Sequence, residues 1–373
     1  MQKRIPIYAP DIGEQERDNV LECLTSSWIS SKGAFIPRFE REFADYLGAP
    51  FATSVSNGTV ALHLALVALG IGPGDEVIVP TLTYIATANA VTYTGAKPVF
   101  CDCEPGTWQM SPPDVRAKIT PRTRVIIAVH LYGAACDMDA ICQIAREHNL
   151  FVVEDCAEAI GTLVDNRHVG TFGDIATFSF FGNKTITTGE GGMVASGNQT
   201  LHERAVHFKG QGLAEHRQYW HDVVGYNYRM TNICAAIGVA QLERVDKFVA
   251  RKSEIAQRYR SSLSDLPITF QSEPAGTRHS HWMISFLLPD ASQRDPLRGY
   301  LDDQGVETRP VFYPIHTMPM YARRFETHSV SEDVARRGIN VPSWPGLTDS
   351  EIDFVCDLIR SFLKRPIQNQ GRP

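Results

Sequence analysis

The sequence predicts an α/β protein with a mostly parallel sheet and a smaller C-terminal α/β domain. From about residue 50 to 210, short apolar strand patterns alternate with helical patterns, which is typical of parallel strands joined by crossover helices. Beyond residue 260 the strand patterns become shorter, and an amphipathic helix closes the chain. With 373 residues, 43% of them hydrophobic, the chain can bury the large core that this fold needs.

Each predicted strand of the large sheet is a run of apolar residues between polar or glycine-containing stretches. The runs cover residues 76–79, 98–100, 124–129, 150–153, 175–178 and 193–195. Residues 235–260 then carry one long helical pattern, whose apolar positions fall on a single face. These positions are Ala240, Leu242, Val245, Phe248 and Val249. We expect this helix to bridge the two domains.

The C-terminal part is predicted to contain short strands, including residues 282–287, and two helices near residues 296–304 and 349–363. We therefore place a large domain at residues 1–245 and a small domain at residues 246–373. The extreme N-terminus is expected to pack on the small domain, and residues 371–373 are expected to fray.

Composition excludes several functional classes. Basic side chains number 36 and acidic ones 42, a net charge of −6, and there is no long Lys/Arg run, so the chain lacks the electrostatic footprint of a nucleic-acid-binding protein. No run approaches the roughly 18 apolar residues of a membrane span, and no apolar segment follows residues 1–6.

Cys101 and Cys103 have no second cysteine pair, so we expect no metal site. Free thiols and the missing export signal predict a cytoplasmic protein.

Lys184 is the strongest candidate for chemistry. It lies after an apolar strand pattern, in a stretch of small, polar and glycine residues, 179–192. A lysine that attacks a carbonyl needs a partly dry pocket to lower its pKa, and glycines nearby let a planar group approach the backbone. These are the requirements of a Schiff-base lysine. The alternative is a solvated loop lysine.

Asp155 ends the apolar run 150–153, in the stretch 154–159, where a parallel strand would deliver it to the ligand-binding edge of the sheet. A carboxylate at this edge can pair with a pyridinium nitrogen and keep that nitrogen protonated. The alternative is an aspartate that caps a following helix.

Gly58 and Thr59 follow the stretch 52–57 and open a helical pattern at residues 60–66. The free N–H groups and dipole of a helix N-terminus bind anions, so this turn is a candidate phosphate cradle, to which Ser179 could add a hydroxyl. An ordinary N-cap is the alternative. A phosphate cradle, a pyridinium partner and a Schiff-base lysine together describe a site for pyridoxal 5'-phosphate (PLP).

On these motifs, from about residue 5 to 363, the chain resembles the fold-type-I PLP enzymes and, among them, the sugar-nucleotide aminotransferases. The resemblance implies a seven-stranded sheet with one antiparallel strand in the PLP domain. It implies that Lys184 holds the cofactor as a Schiff base and that Asp155 meets the ring nitrogen. Gly58, Thr59 and Ser179 are implied to contact the phosphate.

Three further cofactor contacts follow from the same resemblance. Tyr84 is implied to stack on the ring, Glu158 to lie beside it, and Asn227 to reach the site of a second subunit, so that the working unit is a homodimer or larger. Glu158 stands where the wider family usually has Gln or His. Glutamate here is typical of the branch that aminates GDP-4-keto-6-deoxymannose.

That branch uses L-glutamate as the amino donor, and its product is an O-antigen sugar. The resemblance implies that Trp28, Ser30, Tyr313 and His316 line the sugar pocket, although each could instead be a buried aromatic, a polar loop residue or a core histidine. Three other functions stay open. They are an aminotransferase for another UDP- or dTDP-linked keto sugar, a sugar dehydratase, which typically has histidine in place of Lys184, and a non-catalytic regulatory protein with a PLP fold.

Overall fold

The computed structural model describes residues 4–364 and contains fourteen strands and twelve α-helices in that range. The strands are β1 Phe51–Val55, β2 Glu76–Pro80, β3 Lys97–Cys101, β4 Thr123–Val129, β5 Phe151–Asp155, β6 Leu163–Val164, β7 Arg167–His168, β8 Ile175–Ser179, β9 Gly192–Ser196, β10 Thr269–Phe270, β11 Thr277–Arg278, β12 Ile284–Leu287, β13 Arg309–Pro310 and β14 Gly338–Val341. The helices are α1 Glu14–Ser26, α2 Phe35–Leu47, α3 Gly58–Leu69, α4 Ala86–Tyr93, α5 Pro112–Lys118, α6 Met138–His148, α7 Gln199–Lys209, α8 Asn232–Glu243, α9 Val245–Ser262, α10 Arg294–Asp303, α11 Ser329–Arg337 and α12 Asp349–Leu363.

The large sheet has seven strands in the order β1-β9-β8-β5-β4-β2-β3. Only β9 runs against its neighbours, since it pairs antiparallel with both β1 and β8, whereas the other pairs are parallel. This confirms the predicted fold class, with one antiparallel strand among seven. The carboxyl ends of β1, β2, β4, β5 and β8 therefore meet at one edge of the sheet.

Both faces of this sheet are buried, as expected where helices cover a parallel sheet on both sides. Along β4, Val125, Ile127 and Val129 pack with α3 and α4 on one face. Ile126 and Ala128, at the alternate positions, pack with α5 and α6 on the other. Alternate side chains of a strand point to opposite faces, so a strand buried on both sides reads as one continuous apolar run.

The prediction of a single long helix over residues 235–260 is wrong, because two helices, α8 and α9, cover this range. Residue Arg244 leaves helical geometry at φ −108°, ψ 2°, which ends α8 and begins α9. Its guanidinium binds Asp11 Oδ1 at 2.8 Å and also contacts Glu16 of α1. These charge pairs come from the N-terminal segment, distant in sequence, so the apolar pattern of the helix could not reveal the break.

A four-stranded antiparallel sheet, β10-β12-β14-β13, lies in the C-terminal part of the chain. It shares one apolar core with α9 and α12, in which Ile255, Phe286 and Ile359 are buried. Ile5 of the N-terminal segment packs in this same core and pairs with Val306. The domain division after residue 245 stays a prediction. Residues 1–3 and 365–373 of the two predicted domains, including the expected fraying at 371–373, lie outside the described residues.

None of the helices described for residues 4–364 has both the length and the apolar character that crossing a bilayer requires.

Candidate active site

Lys184 lies in the loop after β8 with its side chain only 12% exposed. Its Nζ is 3.7 Å from Glu158 Oε1 and 3.9 Å from the ring centroid of Trp282. Burial lowers the pKa of Lys184, and the charges of Glu158 and Asp155 partly oppose that shift. The structure therefore contains the desolvated lysine that the sequence predicts, and the alternative of a solvated loop lysine is wrong.

The backbone around Lys184 is held by contacts from distant segments. The hydroxyl of Tyr8 donates to Lys184 O at 2.5 Å, and Trp282 Nε1 donates to Asn183 O at 2.7 Å. Lys184 N also donates to Phe181 O at 2.9 Å within the loop. A fixed backbone on both sides of the lysine limits the volume that its amine can reach.

Asp155 lies at the carboxyl end of β5 and is buried. Thr87 Oγ1 donates to Asp155 Oδ2 at 2.9 Å, and Ala157 N donates to Oδ1 at 3.2 Å. Burial raises the pKa of Asp155, while these hydrogen bonds and the charge of Lys184 oppose the rise. The next helix along the chain is α7, more than forty residues later, so Asp155 does not cap a helix.

Glu158 is a buried carboxyl that lies between the backbone N–H of Tyr132 and the amine of Lys184. Tyr132 N donates to its Oε2 at 2.8 Å, while Oε1 faces Lys184. Burial raises the pKa of Glu158 to about 7, an effect that Asp155 increases and that Lys184 and the Tyr132 N–H oppose. Near neutral pH this carboxyl can therefore both accept and donate a proton.

We expect Glu158→Gln to change how the stability of the cofactor-free protein depends on pH. The unfolded glutamate releases its proton near pH 4.5 and the folded one near 7, so the folded state binds more protons between these values. Folding stability of the wild type, relative to Glu158→Gln, should therefore fall by up to about 3 kcal/mol from pH 4.5 to 7. Urea unfolding of both proteins across this range measures the difference. Parallel pH profiles would contradict the assignment.

The turn from β1 into α3 contains the residues that are predicted to cradle an anion. Asn57 caps α3 by accepting a hydrogen bond from Val60 N at 3.0 Å, and Gly58 and Thr59 are the first helical residues, whose N–H groups have no partner within the helix. A Cβ built on Gly58 would lie 2.7 Å from Ser179 Cβ and 3.0 Å from its Oγ. Gly58 is thus needed for the approach of Ser179, and the three predicted phosphate contacts lie together.

Tyr84 and Tyr313 are both about half exposed, at 57% and 51%. Tyr84 lies after β2, with its ring centroid 5.8 Å from that of Phe312. Tyr313 lies under the guanidinium of Arg294 at 5.8 Å. The ring of Phe312 thus lies beside Tyr84, while the ring of the next residue, Tyr313, is half exposed to solvent.

His316, by contrast, is buried, and both of its ring nitrogens have partners. Nδ1 lies 2.7 Å from Thr81 Oγ1, and Nε2 lies 3.3 Å from Glu332 Oε1. Burial lowers the pKa of His316. No contact recorded for the described residues brings it to Lys184, so its sugar-binding role stays a prediction.

Trp28 and Ser30 are exposed and lie after α1, where their carbonyl oxygens accept hydrogen bonds from Asn232 Nδ2 and N, both at 2.7 Å. Asn227 is also exposed, on the segment that pairs with Gly210, and accepts a hydrogen bond from Arg229 at 3.4 Å. The predicted roles of Trp28 and Ser30 with sugar and of Asn227 with a second subunit stay predictions.

Four residues that complete the site were missed from the sequence. Thr87, Tyr132 and Trp282 contact Asp155, Glu158 and Lys184, respectively, and Tyr8 holds the Lys184 backbone. Thr87 and Tyr132 follow strands β2 and β4 at the same sheet edge as Asp155, which is the only signal that could have indicated them. Tyr8 and Trp282 lie in segments that give no such signal.

The sequence profile of the DegT/DnrJ/EryC1/StrS aminotransferase family matches residues 10–360 of this chain. The chain is 57% identical to a GDP-perosamine synthase of Escherichia coli O157:H7, over 96% of this chain and 99% of that one. It is 51% identical to a GDP-perosamine synthase of Vibrio cholerae, with the same coverage. It is 35% identical to EpsN of Bacillus subtilis, described as a putative pyridoxal phosphate-dependent aminotransferase, over 96% of each chain.

Among solved structures, the aminotransferase TlmJ from Streptoalloteichus hindustanus superposes with a TM-score of 0.92 and 34% identity, covering 96% of this chain and 98% of that chain. The family profile, the near full-length relatives and the superposed fold agree with the desolvated lysine at the sheet edge. The chain belongs to the DegT/DnrJ/EryC1/StrS aminotransferase family.

Proposed function

We propose that this enzyme uses PLP to transfer the amino group of L-glutamate to C4 of GDP-4-keto-6-deoxymannose, giving GDP-perosamine and 2-oxoglutarate. The observation that carries the chemistry is the largely buried amine of Lys184 beside Glu158, at the sheet edge that also presents Asp155. The observation that supports the sugar is the identity of 57% and 51%, over nearly the whole chain, to two GDP-perosamine synthases.

The residues present fit PLP in three respects. The carboxyl of Asp155 is buried and fixed by Thr87 and Ala157, as a partner for a pyridinium nitrogen must be. The turn at Gly58 and Thr59 offers N–H groups to a phosphate, beside the Ser179 hydroxyl. Tyr84 is exposed where a ring could be stacked, and Asn227 would complete the site of a second copy. Bound PLP supplies an electron sink that allows the Cα–H bond of an amino acid to ionise.

Lys184 is the group that moves the proton. Because burial disfavours its charged form, the amine can take the Cα proton of glutamate and deliver it, on the same face, to the carbon on the other side of the amino nitrogen. With PLP bound, hydrolysis would then release 2-oxoglutarate and leave the amino group on the cofactor. With the keto sugar, Lys184 moves a proton in the opposite direction, so C4 gains nitrogen and hydrogen while the keto oxygen leaves as water.

Asp155 and Glu158 contribute by their charge and do not carry the transferred proton. A negative Asp155 would keep the ring nitrogen protonated, and the paired charge would in turn lower the raised pKa of Asp155. Glu158, held by Tyr132, lies close enough to Lys184 to bias which protonation state the amine adopts. The Lys184 side chain is only 12% exposed, which limits the access of water to the amine.

A substrate panel tests the choice of sugar. Purified enzyme with PLP and L-glutamate is supplied in turn with GDP-4-keto-6-deoxymannose and with UDP- and dTDP-linked keto sugars, and the aminated products are identified by mass spectrometry. We expect GDP-perosamine to form at the highest kcat/KM. Faster amination of a UDP- or dTDP-linked sugar would contradict the substrate while leaving the reaction type in place.

Tyr313→Ala should impair the sugar half of the reaction more than the glutamate half. The exposed ring can pack on an apolar sugar face, and its loss should lower kcat/KM for the sugar by about tenfold. The rate of 2-oxoglutarate formation in a single turnover is the matched measurement. Equal losses in both halves would remove Tyr313 from sugar recognition.

The working unit in this proposal is a homodimer or larger assembly in the cytoplasm, because Asn227 would serve the cofactor site of a second copy. If sites are shared, mixing equal amounts of an Asn227→Ala chain and a Lys184→Ala chain should restore activity. Half of the dimers would then be mixed and each would have one intact site, so about a quarter of all sites should be active.

A further inference from the structure

Trp282 makes two separate contacts with the Lys184 segment. The face of its ring lies on the amine, with 3.9 Å between Nζ and the centroid, and its indole N–H donates to Asn183 O at 2.7 Å. A cation over an indole face is attracted by the ring, most strongly where water is excluded, and Trp282 is 4% exposed. One side chain thus contacts both the reactive atom and the backbone that carries it.

Trp282 is itself held in place by residues that approach closely. Its ring stacks on that of Tyr132, with centroids 6.0 Å apart and planes at 18°. A Cβ built on Gly133 would lie 2.9 Å from His281 N and 3.0 Å from Trp282 N, so only glycine lets this segment pass. His281 has a positive φ of 51°, an unfavourable conformation for a side-chain-bearing residue, directly before Trp282.

From this geometry we propose that Trp282 is a positioning residue for Lys184, which sets where the amine lies and how readily it holds a proton. The charged and titratable groups that face the amine are Glu158 and Asp155, while Tyr8 contacts only its backbone. The two carboxyls act on the amine by charge. Trp282 adds a ring face that favours the protonated amine and limits where the amine can move. The inference rests on the proposed function, because it assigns Lys184 the role of proton carrier.

The test compares Trp282→Leu and Trp282→Phe with Trp108→Leu. Trp108 is 1% exposed and belongs to the same apolar cluster as Trp282, so it controls for the loss of a buried indole. Two quantities are measured. The first is the pH midpoint for the rate at which cofactor-free protein takes up PLP on Lys184, followed by absorbance; the second is the single-turnover rate with L-glutamate at saturation.

For Trp282→Leu we expect the pH midpoint to fall by about half a unit or more, because the ring that favours the protonated amine is gone. We also expect the single-turnover rate to fall about tenfold or more, with the half-saturating glutamate concentration unchanged. Trp282→Phe keeps a ring face but loses the indole N–H, so its midpoint should stay near that of the wild type while its rate falls. Trp108→Leu should lose stability and change neither quantity.

A wild-type midpoint and rate in Trp282→Leu would overturn the inference, and so would equal shifts in Trp108→Leu. Should the leucine variant not fold, an unchanged single-turnover rate in Trp282→Phe would overturn it as well. If the wild-type protein takes up no PLP on Lys184, the proposed function itself fails and the inference fails with it.

Discussion

Lys184→Ala should abolish amino transfer, with a loss of about 10³-fold or more in the single-turnover rate with L-glutamate. In the proposed reaction the Lys184 amine both holds the cofactor covalently and carries the proton, and its side chain is largely buried near the carboxyls of Glu158 and Asp155. Stopped-flow absorbance of the PLP-loaded protein measures the rate.

Two control variants separate chemistry from charge and from folding in this experiment. Lys184→Arg keeps the positive charge but lacks a nucleophilic amine, so it should be as inactive as the alanine variant. Lys97→Ala removes a lysine that is half exposed and pairs with Glu76 at the far edge of the sheet, and it should retain activity. Substantial turnover by Lys184→Arg would show that charge, not the amine, is what the site requires.

Asp155→Asn should give the second-largest effect, a loss of about a hundredfold or more in the same rate. Asparagine fits the same space and can keep the contact with Thr87, but it brings no negative charge to a pyridinium nitrogen. The variant should still bind PLP through Lys184. Its absorbance band should then titrate differently with pH, because the ring nitrogen loses its counter-charge.

Thr87→Val is the matched control for Asp155, since it removes the hydroxyl that orients the carboxyl and leaves the charge in place. It should lose activity only about tenfold. A larger loss in Thr87→Val than in Asp155→Asn would mean that the hydrogen bond matters more than the charge, and would contradict the assigned role.

Features carried by short stretches of chain could be predicted from the sequence. The final helix has the predicted bounds of Asp349–Leu363, because Thr348 and Glu351 form a capping box that marks its start locally. The turn at Gly58 is equally local, since a strand, a capping asparagine and an apolar helix follow one another. All six predicted strands of the large sheet are present for the same reason.

Features that depend on segments far apart in the chain could not be predicted. Trp282 lies 98 positions from Lys184, and nothing in the pattern around either residue indicates that a ring face meets the amine. The break at Arg244 depends on Asp11 and Glu16, more than 220 positions away. Only the folded chain brings such residues together.

The predicted sugar contacts depend on which side chains the fold leaves exposed, and residue type and spacing do not determine this. Tyr84, Tyr313 and Trp28 are large side chains more than half exposed, and their predicted contacts with cofactor and sugar stay predictions. His316 has its ring nitrogens engaged by Thr81 and Glu332, an arrangement that residue type and spacing alone could not distinguish from a sugar contact.

Amino transfer through Lys184 is tested most sharply by the absorbance spectrum of the PLP-loaded protein through one complete cycle. We expect the band of lysine-bound PLP to appear, to be lost on adding L-glutamate as pyridoxamine phosphate forms, and to return on adding GDP-4-keto-6-deoxymannose. Return of the band shows that the nitrogen has left the enzyme for the sugar. A protein that forms no lysine-bound band, or whose band never responds to L-glutamate, would contradict amino transfer through Lys184.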